Sequence, residues 1–311
     1  MFQESKLKRI VAYGNPVFDM IVTPKIRRFE RVLSGCSTNA CLALSYLEYS
    51  PVLIGTVSDD FKQGLETDLV SRGINFNLYP SKETGGFGLV YDEKGNRELD
   101  VLGRADDIPS DAIVYEAADI VLLGPILNEI PVDLVKRIKN ESNALIFTDP
   151  QGLLRSEENG TIIHTKSKKY DEIAKLSNII KANELEALVI TGEDPRREPE
   201  RAVKALYETG CDIAIVTLAE AGSIIFDGRV ISRIPPFTTD AIDPTGAGDT
   251  YAAGFISQYL DTPDDLTRVG CFASSVASIM VENSGPVFPL TRNEANRRMN
   301  LLLNGPLDLK L

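Results

Sequence analysis

The sequence is very poor in histidine, with His164 the only one among 311 residues. This scarcity excludes serine–histidine–aspartate triads and metal sites built on several histidines, so any general base must be a carboxylate, lysine, tyrosine or thiol. His164 lies in the alternating stretch GTIIHTKSK, where we expect an exposed strand position.

Paired cysteines and long apolar runs are also missing. The four cysteines form no CxxC pair and lie in otherwise apolar segments, which favours buried thiols over disulfides or zinc. No apolar run reaches the length of a membrane-spanning helix, and the opening MFQESKLKRIVAYG lacks the apolar core of a signal peptide. We therefore expect a cytoplasmic protein without a membrane partner.

Positive charge is in deficit, with 33 lysines and arginines against 45 acidic residues and a net charge of −12. This charge repels nucleic acid backbones and anionic lipids, so nucleic acid is not expected as a partner. The length lies slightly above that at which a single core commonly stops growing. We expect one domain over residues 1–311 with a small appendage.

Apolar segments of strand length alternate with helical patterns along the first two thirds of the chain. The predicted strands are RIVAYG, PVLIGTV, DIVLLGPI, ALIFTDP, NIIKA and DIAIVTL. Continuous β-branched runs between helices indicate strands covered on both faces, which predicts an α/β fold with a mostly parallel sheet. From residue 246 onward the pattern is almost wholly helical.

Two segments depart from this alternation. Residues 18–33 and 84–102 alternate polar with apolar side chains, and the second contains the turn sequence DEKGN. We predict that they pair into a small sheet, forming a lid over the carboxyl ends of the parallel strands, where open α/β sheets bind ligands.

The stretch DPTGAGDT at residues 243–250 places a glycine-rich turn directly before a helix. Backbone amides at such a helix start form a concave array that suits an anion. The phosphate loop GxxxxGK is excluded because no GK dipeptide occurs, and GxGxxG fails because Tyr251 stands at the third glycine position. The alternative is a plain helix cap supplied by Asp243 or Thr245.

DPTGAGDTYAAGF resembles the C-terminal signature of the ribokinase-like (PfkB) carbohydrate kinase family. The resemblance implies a ribokinase-like three-layer α/β/α fold with a mostly parallel central sheet and a small, short β lid. It also implies that Gly246, Ala247 and Gly248 form an anion hole for the transferring phosphoryl group, and that Asp249 takes the proton from the acceptor hydroxyl.

Further motifs of that family follow in order. GNPVFD resembles the strand whose aspartate, here Asp19, binds substrate hydroxyls. SGCSTNA resembles Gly-Gly-x-x-x-Asn and implies that Gly35 and Asn39 bind substrate, although Cys36 replaces the second glycine. The alternatives are a strand-end acid for Asp19 and an ordinary helix start for residues 35–39.

Two motifs imply the nucleotide site. KANELEA resembles Asn-x-x-Glu, which implies that Asn183 lies by the phosphates and that Glu186 lies near Mg²⁺ and contacts it through water. The alternative is a helix cap with a capping box. VTLAEAGSIIF resembles the turn that lines the nucleotide, with Thr217 and Gly222 in place and Ala219 where a glycine is usual.

The resemblance implies ATP as co-substrate and Mg²⁺ as cofactor. Some members of the family bind a monovalent cation through the positions of Asp243, Thr245 and the loop near 281–286. Lid strands in the family often pair across dimers, so the oligomeric state is expected to be a monomer or a homodimer. Fifteen residues separate Asp19 from Gly35, which indicates a short lid.

The acceptor is expected to be a small sugar or polyol. TDPQGLLR, the following ENGTIIHT and IIKANELEAL most resemble the myo-inositol-kinase-like branch. A sugar phosphate is an alternative acceptor, because the lid arginines could bind its phosphate group. A nucleoside is another alternative, because a base could stack on the ring of Phe87 or Tyr91. A silent sugar- or nucleotide-binding regulator is disfavoured by the retention of Asp249. The lid arginines are Arg27, Arg28, Arg31, Arg97 and Arg104.

Overall fold

A computed structural model describes residues 8–22, 31–91 and 97–305. Its main sheet has nine strands in the order β15-β14-β13-β12-β9-β8-β1-β4-β5. All neighbours pair in parallel except the hairpin strands β14 and β15 at one edge. The strands are β1 (Ile10–Tyr13), β4 (Val52–Val57), β5 (Asn75–Pro80), β8 (Ile120–Leu123), β9 (Leu145–Thr148), β12 (Ile179–Ala182), β13 (Ile213–Thr217), β14 (Ser223–Phe226) and β15 (Ile231–Ile234).

Helices cover both faces of this sheet, which gives the three-layer α/β/α architecture. Alternate strand residues point to opposite faces. Ile10 and Ala12 belong to one buried cluster, while Val11 and Tyr13 belong to the other. The helices are α1 (Cys36–Tyr46), α2 (Asp59–Ser71), α3 (Val132–Glu141), α4 (Tyr170–Leu176), α5 (Glu184–Thr191), α6 (Pro199–Tyr207), α7 (Ala247–Tyr259), α8 (Leu266–Val281) and α9 (Arg292–Asn304).

The layer on the first face contains α1, α2, α7, α8 and α9, and the layer on the second contains α3, α4, α5 and α6. The predicted fold class and the helical C-terminal third are therefore confirmed. Within the described residues, no helix combines the length and the apolar character that a membrane crossing requires.

A second sheet of six strands stands apart from the main one, in the order β10-β11-β7-β6-β2-β3. It pairs the described parts of the two alternating segments, with Met20 opposite Gly88 in parallel register. A third segment also joins, because Thr161 pairs with Asp100. The strands are β2 (Val17–Val22), β3 (Val32–Ser34), β6 (Gly86–Tyr91), β7 (Arg97–Gly103), β10 (Arg155–Glu158) and β11 (Thr161–His164).

One face of the second sheet is apolar and buried. Ile21, Phe87, Leu89 and Leu99 pack together with Ile126, which follows β8 of the main sheet. This contact joins the second sheet to the carboxyl end of β8. Ile21 and Val32 of the second sheet also line a pocket together with Asn39 and Gly246.

Candidate active site

Most of the predicted site residues lie at the ends of strands or at the starts of helices. Asn183 directly follows β12, and Thr217 is the last residue of β13. Gly35 joins β3 to α1, and Asp249 is the third residue of α7. Because the carboxyl ends of parallel strands meet at one edge, residues from distant motifs face the same space.

The glycine turn starts α7 without a side-chain cap. Gly246 occupies the N-cap position in a left-handed conformation (φ 85°), which glycine adopts without strain. Asp243 does not cap the helix, since its carboxylate accepts hydrogen bonds from Thr245 N (2.9 Å) and Ser284 Oγ (2.9 Å). The simple helix-cap interpretation of Asp243 is therefore wrong, since no side chain caps α7. In the first turn, Ala247 N donates to Pro244 O (3.1 Å).

Asp249 contacts the substrate-binding motif of α1 directly. Asn39 Nδ2 donates a 2.8 Å hydrogen bond to Asp249 Oδ2. A methyl group built on Gly246 would lie 3.2 Å from the same Asn39 nitrogen. Asn39, the turn and Asp249 therefore form one packed unit.

The surroundings of Asp249 favour its protonated form. Burial and the nearby Asp149 raise the pKa of Asp249, while Lys181 and the hydrogen bonds from Asn39 and Cys36 act in the lowering direction. A carboxylate with a raised pKa is a stronger base, as proton abstraction from an alcohol requires.

Three residues that the sequence analysis left without a role complete this cluster. Sγ of Cys36 and the carboxylates of Asp149 and Asp249 lie within 4.8 Å of one another. Lys181 forms a buried ion pair with Asp149. Burial raises the pKa of the Cys36 thiol well above its usual range, so it stays protonated.

A signal for Lys181 and Asp149 was present in the sequence. Lys181 interrupts the apolar strand NIIKA, and Asp149 follows the apolar strand in ALIFTDP. Both lie near the carboxyl ends of parallel strands, where open α/β sheets bind ligands. Charged residues are rarely buried unless they are paired, so an isolated charge in such a strand indicates a partner nearby.

Asn183 and Glu186 form the capping box that the sequence left open as an alternative. Asn183 Oδ1 accepts from Glu186 N (2.9 Å), and Glu186 Oε2 accepts from Asn183 N (2.8 Å). Burial and the nearby Asp149 raise the pKa of Glu186 to about 7, against the lowering effect of Lys181. A carboxylate has about four acceptor positions, so the cap leaves Glu186 capacity for a further contact.

The charges of this cluster suit a hydrated divalent cation. Three carboxylates, Asp149, Glu186 and Asp249, surround the single ammonium of Lys181 and give a surplus of negative charge. Mg²⁺ binds through one or two carboxylates together with water and substrate phosphates. The residues therefore fit Mg²⁺, with Glu186 as the predicted contact.

Asp19 joins the site to the second sheet. It is buried on β2, and its Oδ1 accepts a 2.9 Å hydrogen bond from the backbone N of Phe87 on β6. Gly35 is confined too, since its φ is 116° and a methyl group there would lie 2.9 Å from Asn15 O. The roles of Asp19 and Gly35 toward a substrate stay predictions.

The predicted nucleotide turn has the geometry of a close backbone approach. Gly222 has φ 88°, and a methyl group on it would lie 2.1 Å from Ile234 O, so no larger residue fits. Ala219, at the usual glycine position, has a positive φ of 46°. Thr217 Oγ1 lies 3.5 Å from Ala182 O, next to the Asn183 cap.

The fold and the site at the carboxyl ends of the main-sheet strands define a class of enzyme, a phosphotransferase that acts on a hydroxyl acceptor. The chain belongs to the pfkB family of carbohydrate kinases, which matches residues 8–293. It is a sugar or nucleoside kinase of the ribokinase type.

Individual relatives agree with this class. The chain is 27% identical over 266 residues to a cytidine kinase of Thermococcus kodakarensis, covering 80% of this chain and 88% of that protein. It is 27% identical over 303 residues to a nucleoside kinase of Methanothermobacter thermautotrophicus, covering 90% and 92%. A pyrophosphate-dependent kinase in the ribokinase family, complexed with a pyrophosphate analog and myo-inositol, has a similar fold with TM-score 0.80 and 22% identity, covering 93% and 99%.

Proposed function

We propose that the protein transfers the γ-phosphoryl group of ATP to a hydroxyl of a neutral sugar or polyol, with myo-inositol the first acceptor to test. The observation that carries the reaction type is the hydrogen bond between Asn39 and Asp249 beside the glycine turn. It places a carboxylate of raised pKa next to amides that suit a phosphoryl group.

Each part has a defined task in this mechanism. Asp249 accepts the proton of the acceptor hydroxyl, and the hydroxyl oxygen attacks the γ-phosphorus as the bond to the β-phosphate oxygen breaks, so ADP leaves. The amides at Gly248 and Asp249 stabilise the equatorial oxygens, while the amide of Ala247 donates to Pro244 O. Mg²⁺, when bound, neutralises phosphate charge, and Glu186 would hold it through water.

The acceptor would be held between the sheets. The Asp19 carboxylate can accept hydrogen bonds from hydroxyl groups, and the Asn39 amide can both donate and accept them. The two groups together suit a substrate with neighbouring hydroxyls. Asp19 is tied to the lid strand through Phe87 N, so an acceptor bound to Asp19 would also contact the lid. Thr217, Gly222 and Asn183 would contact the nucleotide.

The arginines of the lid give little support to a sugar phosphate. Arg31 and Arg104 are exposed, and the Arg31 guanidinium lies 5.6 Å from the centre of the Phe61 ring. Arg27 and Arg28 fall outside the described residues, as does the side chain of Arg97. The described arginines therefore favour a solvated lid face.

A nucleoside is the second candidate, favoured by the two archaeal nucleoside-type relatives. Stacking of a base on Phe87 does not support it, since that side chain is buried and the Arg155 guanidinium lies 5.7 Å from its ring centre. The side chain of Tyr91 lies outside the described part of the chain.

The donor and the acceptor are tested together. Two activities are measured with myo-inositol, fructose 6-phosphate, inosine and cytidine under one set of conditions. These are the release of ADP with ATP as donor and the release of phosphate with pyrophosphate as donor. Highest kcat/KM for myo-inositol with ATP supports the proposal. A preference for a nucleoside or for the phosphate ester overturns the acceptor, and turnover with pyrophosphate alone overturns the donor.

A further inference from the structure

Lys181 is a lysine buried inside a parallel strand. It is the third residue of β12, it is 2% exposed, and β13 and β9 flank its strand. Its Nζ forms an ion pair with Asp149, which is equally buried at the end of β9. Removing such a pair from water costs free energy that the attraction between the charges only partly returns, so the pair is weak grounds for a purely stabilising role.

The ammonium lies against the start of α7. A methyl group built on Gly248 would lie 2.8 Å from Lys181 Nζ, closer than ordinary packing allows. Gly248 is the second residue of α7, where the free amides and the helix dipole favour an anion. The ammonium and the amides thus border the same small volume, one from the sheet and one from the helix.

The charges around Lys181 keep it protonated. Burial acts to lower the pKa of Lys181, but Asp149, Glu186 and Asp249 raise it above its ordinary value. The side chain is therefore a permanent cation in a site whose other charged groups are carboxylates.

We propose that Lys181 is a further catalytic residue, whose ammonium turns from Asp149 to the oxygens of the transferring γ-phosphoryl group. The inference rests on the kinase function proposed above. Lys181 keeps its proton throughout, while the hydroxyl proton passes to Asp249 and the leaving electron pair passes to the β-phosphate oxygen of ADP. Its role is to hold and neutralise the phosphoryl oxygens beside the first turn of α7.

The competing interpretation is a structural ion pair. Replacing Lys181 alone leaves the Asp149 carboxylate buried without its counter-charge, which destabilises any protein. The informative variant is therefore Lys181→Met combined with Asp149→Asn, which removes both charges and keeps both shapes close to the original. It is compared with Asp149→Asn alone, because Asp149 also belongs to the carboxylate cluster that suits Mg²⁺. Lys136→Met, at an exposed ion pair with Glu172, is the matched surface control.

Binding provides a readout that is independent of turnover. Affinities of wild type and the double variant are measured by calorimetry for ADP and for the β,γ-imido analogue of ATP, with Mg²⁺ present. A lysine that contacts only the γ-phosphoryl group predicts unchanged ADP binding and about tenfold weaker binding of the analogue. The double variant should also lose about 10²–10³ in kcat, as when one donor of an anion hole is removed.

Two results would overturn the role of Lys181. One is a double variant that melts like wild type and keeps wild-type kcat, and the other is an equal loss of affinity for ADP and the analogue. These results are distinct from a failure of the proposed function, because the binding comparison needs no acceptor. A wild-type protein that turns over no acceptor would contradict the kinase proposal whatever the nucleotide affinities are.

Discussion

Asn39 and Asp249, which are 210 positions apart in the chain, are joined by a 2.8 Å hydrogen bond from the Asn39 amide to Asp249 Oδ2. The contact links the helix that carries the predicted acceptor motif to the helix that carries the predicted base. It therefore bears on two properties at once, the orientation of the carboxylate and its pKa.

Asn39→Ala should move the acidic limb of the kcat/KM profile to higher pH. The Asn39 hydrogen bond lowers the pKa of Asp249, so its removal lets burial and Asp149 raise that pKa further. A base works only when deprotonated, so activity is then lost at a higher pH on acidification. The profile is compared with that of a control variant, Asn77→Ala. Asn77 lies on the outer strand β5, and the substitution removes its hydrogen bond to the Tyr115 hydroxyl. An acidic limb that stays in place or moves down contradicts the account.

Gly248→Ala should reduce kcat by about tenfold or more, because its methyl group intrudes on the ammonium beside the anion site. The control is Gly64→Ala on the exposed part of α2, where no atom lies within 4 Å of the new methyl group. That control should keep full activity and gain about 0.5–1 kcal/mol of stability. A Gly248→Ala enzyme with normal kcat and a lowered Tm would show that the glycine serves the helix start alone.

Glu186→Gln separates the capping role from the metal role. Glutamine at this position keeps the capping box, so Tm should hardly change. The lost charge should raise the Mg²⁺ concentration needed for half-maximal activity by about tenfold or more. Asn183→Ala is the counterpart that should cost about 1 kcal/mol of stability through the lost cap.

The Mg²⁺ requirement of the wild type should itself depend on pH. A proton on Glu186, whose pKa is raised to about 7, competes with the cation, so the requirement should increase as the pH falls below that value. Titrations of activity with Mg²⁺ at several pH values check this. If the Mg²⁺ requirement of Glu186→Gln depended on pH as strongly as that of the wild type, the assignment of the metal contact would be contradicted.

Asp19→Ala should raise the acceptor KM and leave the ATP KM nearly unchanged. Asp19 lies on β2 and bonds the lid strand through Phe87 N, on the acceptor side of the site. Asp100→Ala, an exposed position on lid strand β7, is the control that should leave both constants at wild-type values. An equal rise in both KM values for Asp19→Ala would indicate a general loss of the lid rather than a lost acceptor contact.

Strand and helix patterns were sufficient for the mostly parallel sheet, because central strands such as β1 and β8 are continuous apolar runs that are buried throughout. The edge strands β5 and β15 are only partly buried and have no such run. The hairpin of residues 155–164 was harder to place in the second sheet. It joins through the pairing of Thr161 with Asp100, and strand partners so distant in sequence leave no periodic signal.

The site motifs that lie in glycine turns and helix starts were visible as local patterns. Lys181 and Asp149 are visible as charges that interrupt or end apolar strands, but their pairing could not be predicted from the sequence. It depends on β12 lying beside β9 in the sheet, and the contact with α7 depends on Gly248 lying next to Lys181. Cys36 was noticed as a departure from the family motif, but its contact with Asp249 required the fold.

The central claim is that Asp249 removes the acceptor proton, and the most direct measurement is kcat of Asp249→Asn alongside its affinity for ATP. The substitution keeps the shape of the side chain and removes its capacity as a base. The account predicts that kcat falls by about 10²–10⁴, while ATP affinity and the circular dichroism spectrum stay close to those of the wild type. An Asp249→Asn enzyme that turns over within about threefold of the wild type would contradict it.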